Sequence, residues 1–419
     1  MAGLLQACFS NGTATGTGTG TRRMNTFGTY WLTTNTVVAS ARQTVDHAVT
    51  IREWRIRLTT APGVGVTRTF TVWKNGGATA LSIAISGTTQ TGSDLSNSVT
   101  FAAGDTTYVE HVITGGTPAD TLLQSVYACE NPDYYTSLCG FGEATTSLAA
   151  SGTVYNGLLY GGEWGTAPGR LENVVAVAGT VTGYRIALSV APGAAASGKL
   201  RTFIIEKNAV AQDGTGGTPN TTITISETAT TGTATFTLAV AVGDLLRVKG
   251  TATLSPAITA AQGSLTFVAT TLGQWNLGGT TDDNHAQAAT EYLQAFGNFG
   301  IGGTAWSATE AQRENIGPAT ALTVSGLYVS LVVNPGVGKN LAYTLRKNTA
   351  GTAQTVTIAD AATTGGPSGG AAVTITSADR VALEAVPTGT PTVDRVRIAY
   401  LMTDPTSVLG GNQGLLVSP

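Results

Sequence analysis

WRIRLTTAPGVGVTRTFTVWKNGG, residues 54–77, is the stretch whose reading decides the fold. Trp54, Ile56 and Leu58 alternate with Arg55 and Arg57, the period of two of a strand with one apolar face. Pro62-Gly63 interrupts the run, and a second run carries Phe70 and Val72 up to Lys74-Asn75. Asn75-Gly76-Gly77 is a hairpin turn, because Asn and Gly tolerate the positive φ required there. Leu81-Ser82-Ile83 begins a third strand.

The pattern returns twice. Tyr184, Ile186 and Leu188 precede Pro192-Gly193, and Phe203 and Ile205 lead to Lys207-Asn208. Leu327, Val329 and Leu331 precede Pro335-Gly336, and Tyr343 and Leu345 lead to Lys347-Asn348. Between the apolar positions fall Arg185 and Ala187 in the second copy, and Tyr328 and Ser330 in the third. Downstream, Asp105, Asp244 and Asp379 each follow an apolar strand at a turn, and Pro118, Pro256 and Pro391 come twelve or thirteen residues later. A last apolar strand, around Val126, Leu265 and Ile398, closes each unit. Upstream, Trp31, Trp164 and Trp306 recur among small residues as an anchor. A fixed order of Trp, Pro-Gly, Lys-Asn, Asp and Pro, three times over, marks a tandem repeat. The expected division is 1–133, 134–272 and 273–402, with a tail at 403–419.

Composition agrees. Of 419 residues, 42% are hydrophobic and only 11% charged, and 54 are Gly, so cores can be packed and turns are plentiful. About eight strands per unit is the spacing of a β-sandwich and the size class of a jelly roll. Helix is expected only as a turn or two at residues 286–296 and 308–315.

The formal charge of −3 gives no basis for nucleic-acid binding, which needs clustered Lys and Arg. No run approaches the ~20 apolar residues that span a bilayer. Leu5-Gln6-Ala7-Cys8 imitates a lipoprotein cleavage box, but no basic residue precedes it and its apolar stretch is short. Cys8, Cys129 and Cys139 read as small buried hydrophobes, with a Cys129–Cys139 pair as the alternative.

Chemistry is harder to find. His47, His111 and His285 have no counterparts in the other copies and read as surface or strand-end residues. No metalloprotease or phosphate-loop motif is present. Asp282, Asp283, Asn284 and His285, with Glu291 nearby, form the densest polar cluster, which reads as a solvated loop with Ca²⁺ as the alternative. The repeated aspartates read as turn residues that bond neighbouring backbone, not as a catalytic pair. Catalytic, cofactor-binding and metal-ligating residues are expected to be absent. Trp73 is replaced by Glu206 and Arg346 in the other copies, so it is expected to face solvent or a partner. With Asp282, Asp283 and His285 it makes up the candidate partner contacts.

An alternating strand, Pro-Gly, an aromatic strand ending in Lys-Asn, a Thr/Ser-rich strand, Gly-Asp and Thr-Pro together resemble the jelly-roll domains of bacteriophage structural proteins. These belong to the group similar to tumour necrosis factor and C1q heads. The resemblance implies three tandem jelly-roll β-sandwich domains in a non-enzymatic virion protein, a capsid decoration or head-surface component without cofactors. A tail-fibre tip that recognises host glycan is the alternative. Relatives of this kind assemble as trimers, which implies a trimer or a pseudo-threefold cluster formed by one chain, with other virion proteins as partners.

Overall fold

A computed structural model describes residues 4–14, 20–26, 41–45, 47–119, 121–131, 139–141, 148–158, 164–259, 261–271, 273–281, 284–296, 306–393 and 395–403. Strand pairing sorts them into six antiparallel sheets, two from each third of the chain. In the first third, one sheet runs in the order Leu4–Ala14, Thr121–Asn131, Val49–Leu58, Thr91–Phe101. The other runs Gly20–Met24, Thr106–Thr114, Gly63–Lys74, Gly77–Gly87. First strand therefore pairs with last, second with next to last, and the hairpin Gly63–Lys74/Gly77–Gly87 fills the far side.

Both orders recur. Cys139–Phe141, Ala261–Ala269, Gly179–Leu188 and Thr231–Val240 form one sheet of the second third, opposite Thr153–Gly157, Leu245–Thr253 and Leu200–Lys207. Gln274–Thr280, Val396–Thr403 and Leu322–Leu331 share a sheet in the last third, opposite Glu291–Gln294, Arg380–Thr388, Gly336–Lys347 and Ala350–Asp360. Among the described residues no ladder joins one third to the next, and the three sets are called blocks below. Sheet membership changes between Asn131 and Cys139, and between Ala269 and Gln274.

The first block closes over apolar residues of its two sheets, while the second and third share one continuous apolar cluster. In the first, Ile51, Trp54 and Ile56 from one sheet meet Phe70, Val72 and Ile83 from the other, all buried in one cluster. Trp54 stacks on Tyr127 at 5.2 Å and donates Nε1–H to Ser125 Oγ at 2.7 Å, so its polar edge is satisfied inside the core. Trp164 and Trp306 are buried as well, and Trp164 donates to the Ala261 carbonyl at 2.8 Å. Trp31 lies outside the described residues.

The Lys-Asn and Asp signatures prove to be halves of one clamp. Asn75 Nδ2 donates to Asp105 Oδ1, Asn208 to Asp244 and Asn348 to Asp379, each at 2.7 Å. The amide oxygens of the same asparagines accept the backbone N–H of Thr106, Leu245 and Arg380. The second aspartate oxygen takes the N–H of Ala102, Ala241 or Thr376, which closes its own turn. Lys74, Lys207 and Lys347 lie 3.0, 3.8 and 3.0 Å from those carboxylates. The clamp ties the hairpin to the turn across the sheet. It also holds two positive-φ residues together, Asn75-Gly76, Asn208-Ala209 and Asn348-Thr349, although only the first copy has glycine there.

A second recurring constraint is a close approach. A Cβ on Gly92 would stand 2.5 Å from Ile83, one on Gly232 2.4 Å from Ile223, and one on Gly365 2.4 Å from Val356. At this matched place the strand crosses directly over two aliphatic side chains of the facing sheet.

Two expectations change. Residues 286–296 hold no helix; Glu291–Gln294 is a strand paired with Arg380–Thr388, because an open sheet edge there supplies backbone partners. At 308–315 the expected turn is present, as one 3-10 turn, Glu310–Gln312. Cys129 is disulfide-bonded, which overturns the reading of three unpaired small hydrophobes.

Two variants test these constraints by chemical unfolding. Asp379→Ala strands the Thr376 N–H, the Asn348 amide and Lys347, and should cost about 1–3 kcal/mol. Gly232→Ala overpacks against Ile223 and Ile225 and should also cost about 1–3 kcal/mol.

Candidate assembly interface

The last strand of each block is buried on both faces. In an antiparallel sandwich one face normally meets the core and the other meets water. In Thr121–Asn131, however, Leu123, Gln124, Ser125, Val126 and Tyr127 are all buried. Gln262, Ser264 and Thr266 are buried between the core residues of Ala261–Ala269, and Arg397 and Ala399 between those of Val396–Thr403. The cover comes from a neighbouring block. Val126 of the first block belongs to the apolar cluster of the other two.

These contacts run in one direction around a ring. Arg55 of the first block donates to the Ser377 carbonyl of the third at 2.8 Å, and to the Gly317 carbonyl. At the matched position Tyr328 of the third block puts its hydroxyl 2.9 Å from where a Cβ on Gly243 of the second would stand. Arg185 of the second block brings Nη1 to 3.7 Å from the Cβ position of Gly104 in the first. Gly104, Gly243 and the Ser377-Ala378 pair occupy one turn, just before the clamp aspartate. First docks on third, third on second, and second on first, each through the same strand position and the same turn.

Charge reinforces two of the three junctions. Arg57 Nη1 donates to the Glu314 carbonyl and Nη2 to the Ala311 carbonyl, both at 3.1 Å, with the Glu314 carboxylate at 3.5 Å. Arg397 of the third block donates to the Gly169 carbonyl at 2.5 Å and to the Glu172 carboxylate at 2.6 Å. Ala311 and Gly169 are the middle residues of matched 3-10 turns, so the two arginines grip equivalent targets. They come from different strands. Arg57 sits opposite Gln124 on the ladder, and Ser330 sits opposite Arg397. Glu172 also binds Arg247, which binds Glu206 at 2.6 Å, so the third-to-second junction carries a buried network. Desolvation pulls Arg57 below the usual guanidinium range, as does neighbouring Arg380, while Glu314 pulls it up. The second-to-first junction instead has a neutral hydrogen bond, Gln262 Nε2 to Asn25 Oδ1 at 3.3 Å.

The partner contacts expected from sequence fare differently. Trp73 is half-buried on the outer face and stacks on Tyr108 at 5.5 Å. Glu206 and Arg346, at its position in the other blocks, form ion pairs with Arg247 and with Glu310 and Glu384. His285 is not a surface contact. It is buried, with Nε2 3.1 Å from the Tyr343 hydroxyl, Nδ1 2.9 Å from the Ala286 carbonyl, and its ring edge-on to Trp306. Beside it, Glu291 accepts the Ala286 N–H. Asp282 and Asp283 lie outside the described residues. Among the described residues no three or more His, Cys, Asp and Glu side chains gather as a metal site. No helix among them is long and apolar enough to cross a membrane.

His47 and His111, expected at the surface or at strand ends, are buried too. His111 stacks on Phe70 with 4.4 Å between ring centroids, within the strand Thr106–Thr114. Burial, then the charges of Arg68 and Arg22, lowers its pKa to about 3.

The junction residues Arg55, Arg57, Glu172, Glu314 and Arg397 escape a sequence reading. The alternation of Arg55 and Arg57 with apolar residues is visible, but it is also the pattern of a solvated face. In comparisons with protein-family models and with curated proteins, the chain matches none.

Neutral His111 makes the fold acid-sensitive. The unfolded chain takes up a proton near pH 6.5 that the folded chain refuses until about 3, so stability falls as pH drops through that window. His111→Phe should keep the stack and flatten this part of the stability–pH curve, followed by urea unfolding at pH 7, 5.5 and 4. The slope that stays is expected from His285, which burial also shifts downward, and nearer pH 4 from clamp carboxylates such as Asp105, held down to about 2 by its hydrogen bonds with Asn75 and Ala102.

Proposed function

We propose that the chain is a non-enzymatic structural component of a bacteriophage particle, acting on the head surface as a decoration protein through protein–protein assembly. In this reading its blocks are three jelly-roll domains that form, within one polypeptide, the trimer that single-domain relatives would form from three. The observation that carries it is the one-directional ring of contacts through matched positions, with the last strand of every block covered by a neighbour. Low charge, 11% of residues, suits a molecule whose surfaces are largely spent on contacts between units. Such a body fits a threefold or quasi-threefold point of a shell.

Half-buried Trp73, stacked on buried Tyr108 where the other blocks have ion pairs, favours a second reading. There the chain is a tail-fibre tip and the indole stacks on a host-surface sugar.

Purified chain mixed with shells that lack it should bind at saturable, stoichiometric sites, seen by sedimentation and imaging. Binding to host envelope glycan with no affinity for shells, abolished by Trp73→Ala, would replace the first reading with the second.

A further inference from the structure

The receiving side of each junction carries its own signal. Glu172 and Glu314 immediately precede the matched strands Asn173–Val174 and Asn315–Ile316. The equivalent strand in the first block is Gln43–Thr44, so the matched residue there is Arg42, which is exposed. The register supports the match. Val174 pairs with Leu245, Ile316 with Arg380 and Thr44 with Thr106, and each partner follows its clamp aspartate by one residue. The receiving position thus holds Arg, Glu and Glu in blocks one, two and three.

The giving side complements it. Two ladder-paired positions can supply the arginine: Arg57 and Gln124 in the first block, Ala187 and Gln262 in the second, Ser330 and Arg397 in the third. Blocks one and three give an arginine and dock on Glu314 and Glu172. Block two gives none, and it docks on the block that receives with Arg42.

We infer that these positions are a charge key that selects which block docks on which. Three blocks can close a ring in two cyclic orders. The observed order pairs both glutamates with an arginine and brings no arginine from these positions to Arg42. The reverse order would set Arg397 against Arg42 and leave Glu314 facing uncharged Ala187 and Gln262. A ring built from copies of the first block alone would set Arg57 against Arg42. The first block's receiving face therefore fits the second block and rejects the other two. The key concerns contacts within the protein, so it stands or falls independently of any role in a virion.

The test is a double-mutant cycle in the full-length chain, read by urea unfolding without shells or glycan. Gln262→Arg should set two guanidinium groups against each other and lower the folded-to-unfolded ratio about tenfold or more. The penalty should shrink in 1 M salt, where about 3 Å of screening length remains. Adding Arg42→Glu should recreate the ion pair of the other two junctions and restore the parent ratio or exceed it. If Gln262→Arg alone does not fold, a soluble, folded double variant supports the key. A Gln262→Arg chain as stable as the parent overturns it, as does an equal penalty with and without Arg42→Glu, or a double variant that also fails to fold.

Discussion

Burial of the outer face of each closing strand is the constraint on which the rest of the molecule depends. A sandwich of this size can bury one face of each sheet on its own. It cannot bury the face that carries Gln124, Gln262 or Arg397 without a neighbour. Polar groups taken out of water cost several kcal/mol unless they find partners. Arg397 finds the Gly169 carbonyl and Glu172, and Gln262 finds Asn25, each in another block. Separating the blocks would expose apolar surface such as Val126 and Ala399 and would break these bonds together. Folding of a block and docking of the blocks are thus energetically coupled.

Within a block, the devices are local and repeated with little change. The Asn–Asp–Lys clamp keeps the same atoms, and the same Asn–Asp distance, three times. Between blocks, the positions match while the side chains differ: Arg55, Arg185 and Tyr328 reach one turn by different chemistry. The scaffold tolerates that variation because the ladders and turns supporting each position are the same.

Most of the scaffold was legible in the sequence. Alternation at Trp54, Ile56 and Leu58, the Pro-Gly breaks and the recurring Lys-Asn and Asp each report a local backbone requirement, and three appearances raise them above chance. The clamp itself was half legible: its members could be seen, but not that a fold separating Asn75 from Asp105 by 30 residues would join them. Gly92, Gly232 and Gly365 carry no sequence signal, since a Thr-Gly pair is commonplace in a chain with 54 glycines. The junctions were the least legible part. A charged residue on the alternate face of a strand looks the same whether water or another block lies beyond it. His285 misled for a related reason: its acidic neighbours suggested a solvated loop, whereas Tyr343 and Trp306 enclose the ring.

Arg57 and Arg397 reach equivalent carbonyls and carboxylates from opposite sides of a ladder. A trimer of identical subunits could not keep both solutions, because any change at its interface appears at all three contacts at once. Joined in one polypeptide, each contact can differ from the other two, and a substitution that three identical contacts could not all accommodate becomes a private adjustment between two faces. Covalent linkage therefore frees the interface from symmetry, and the mixed set of junctions records that freedom.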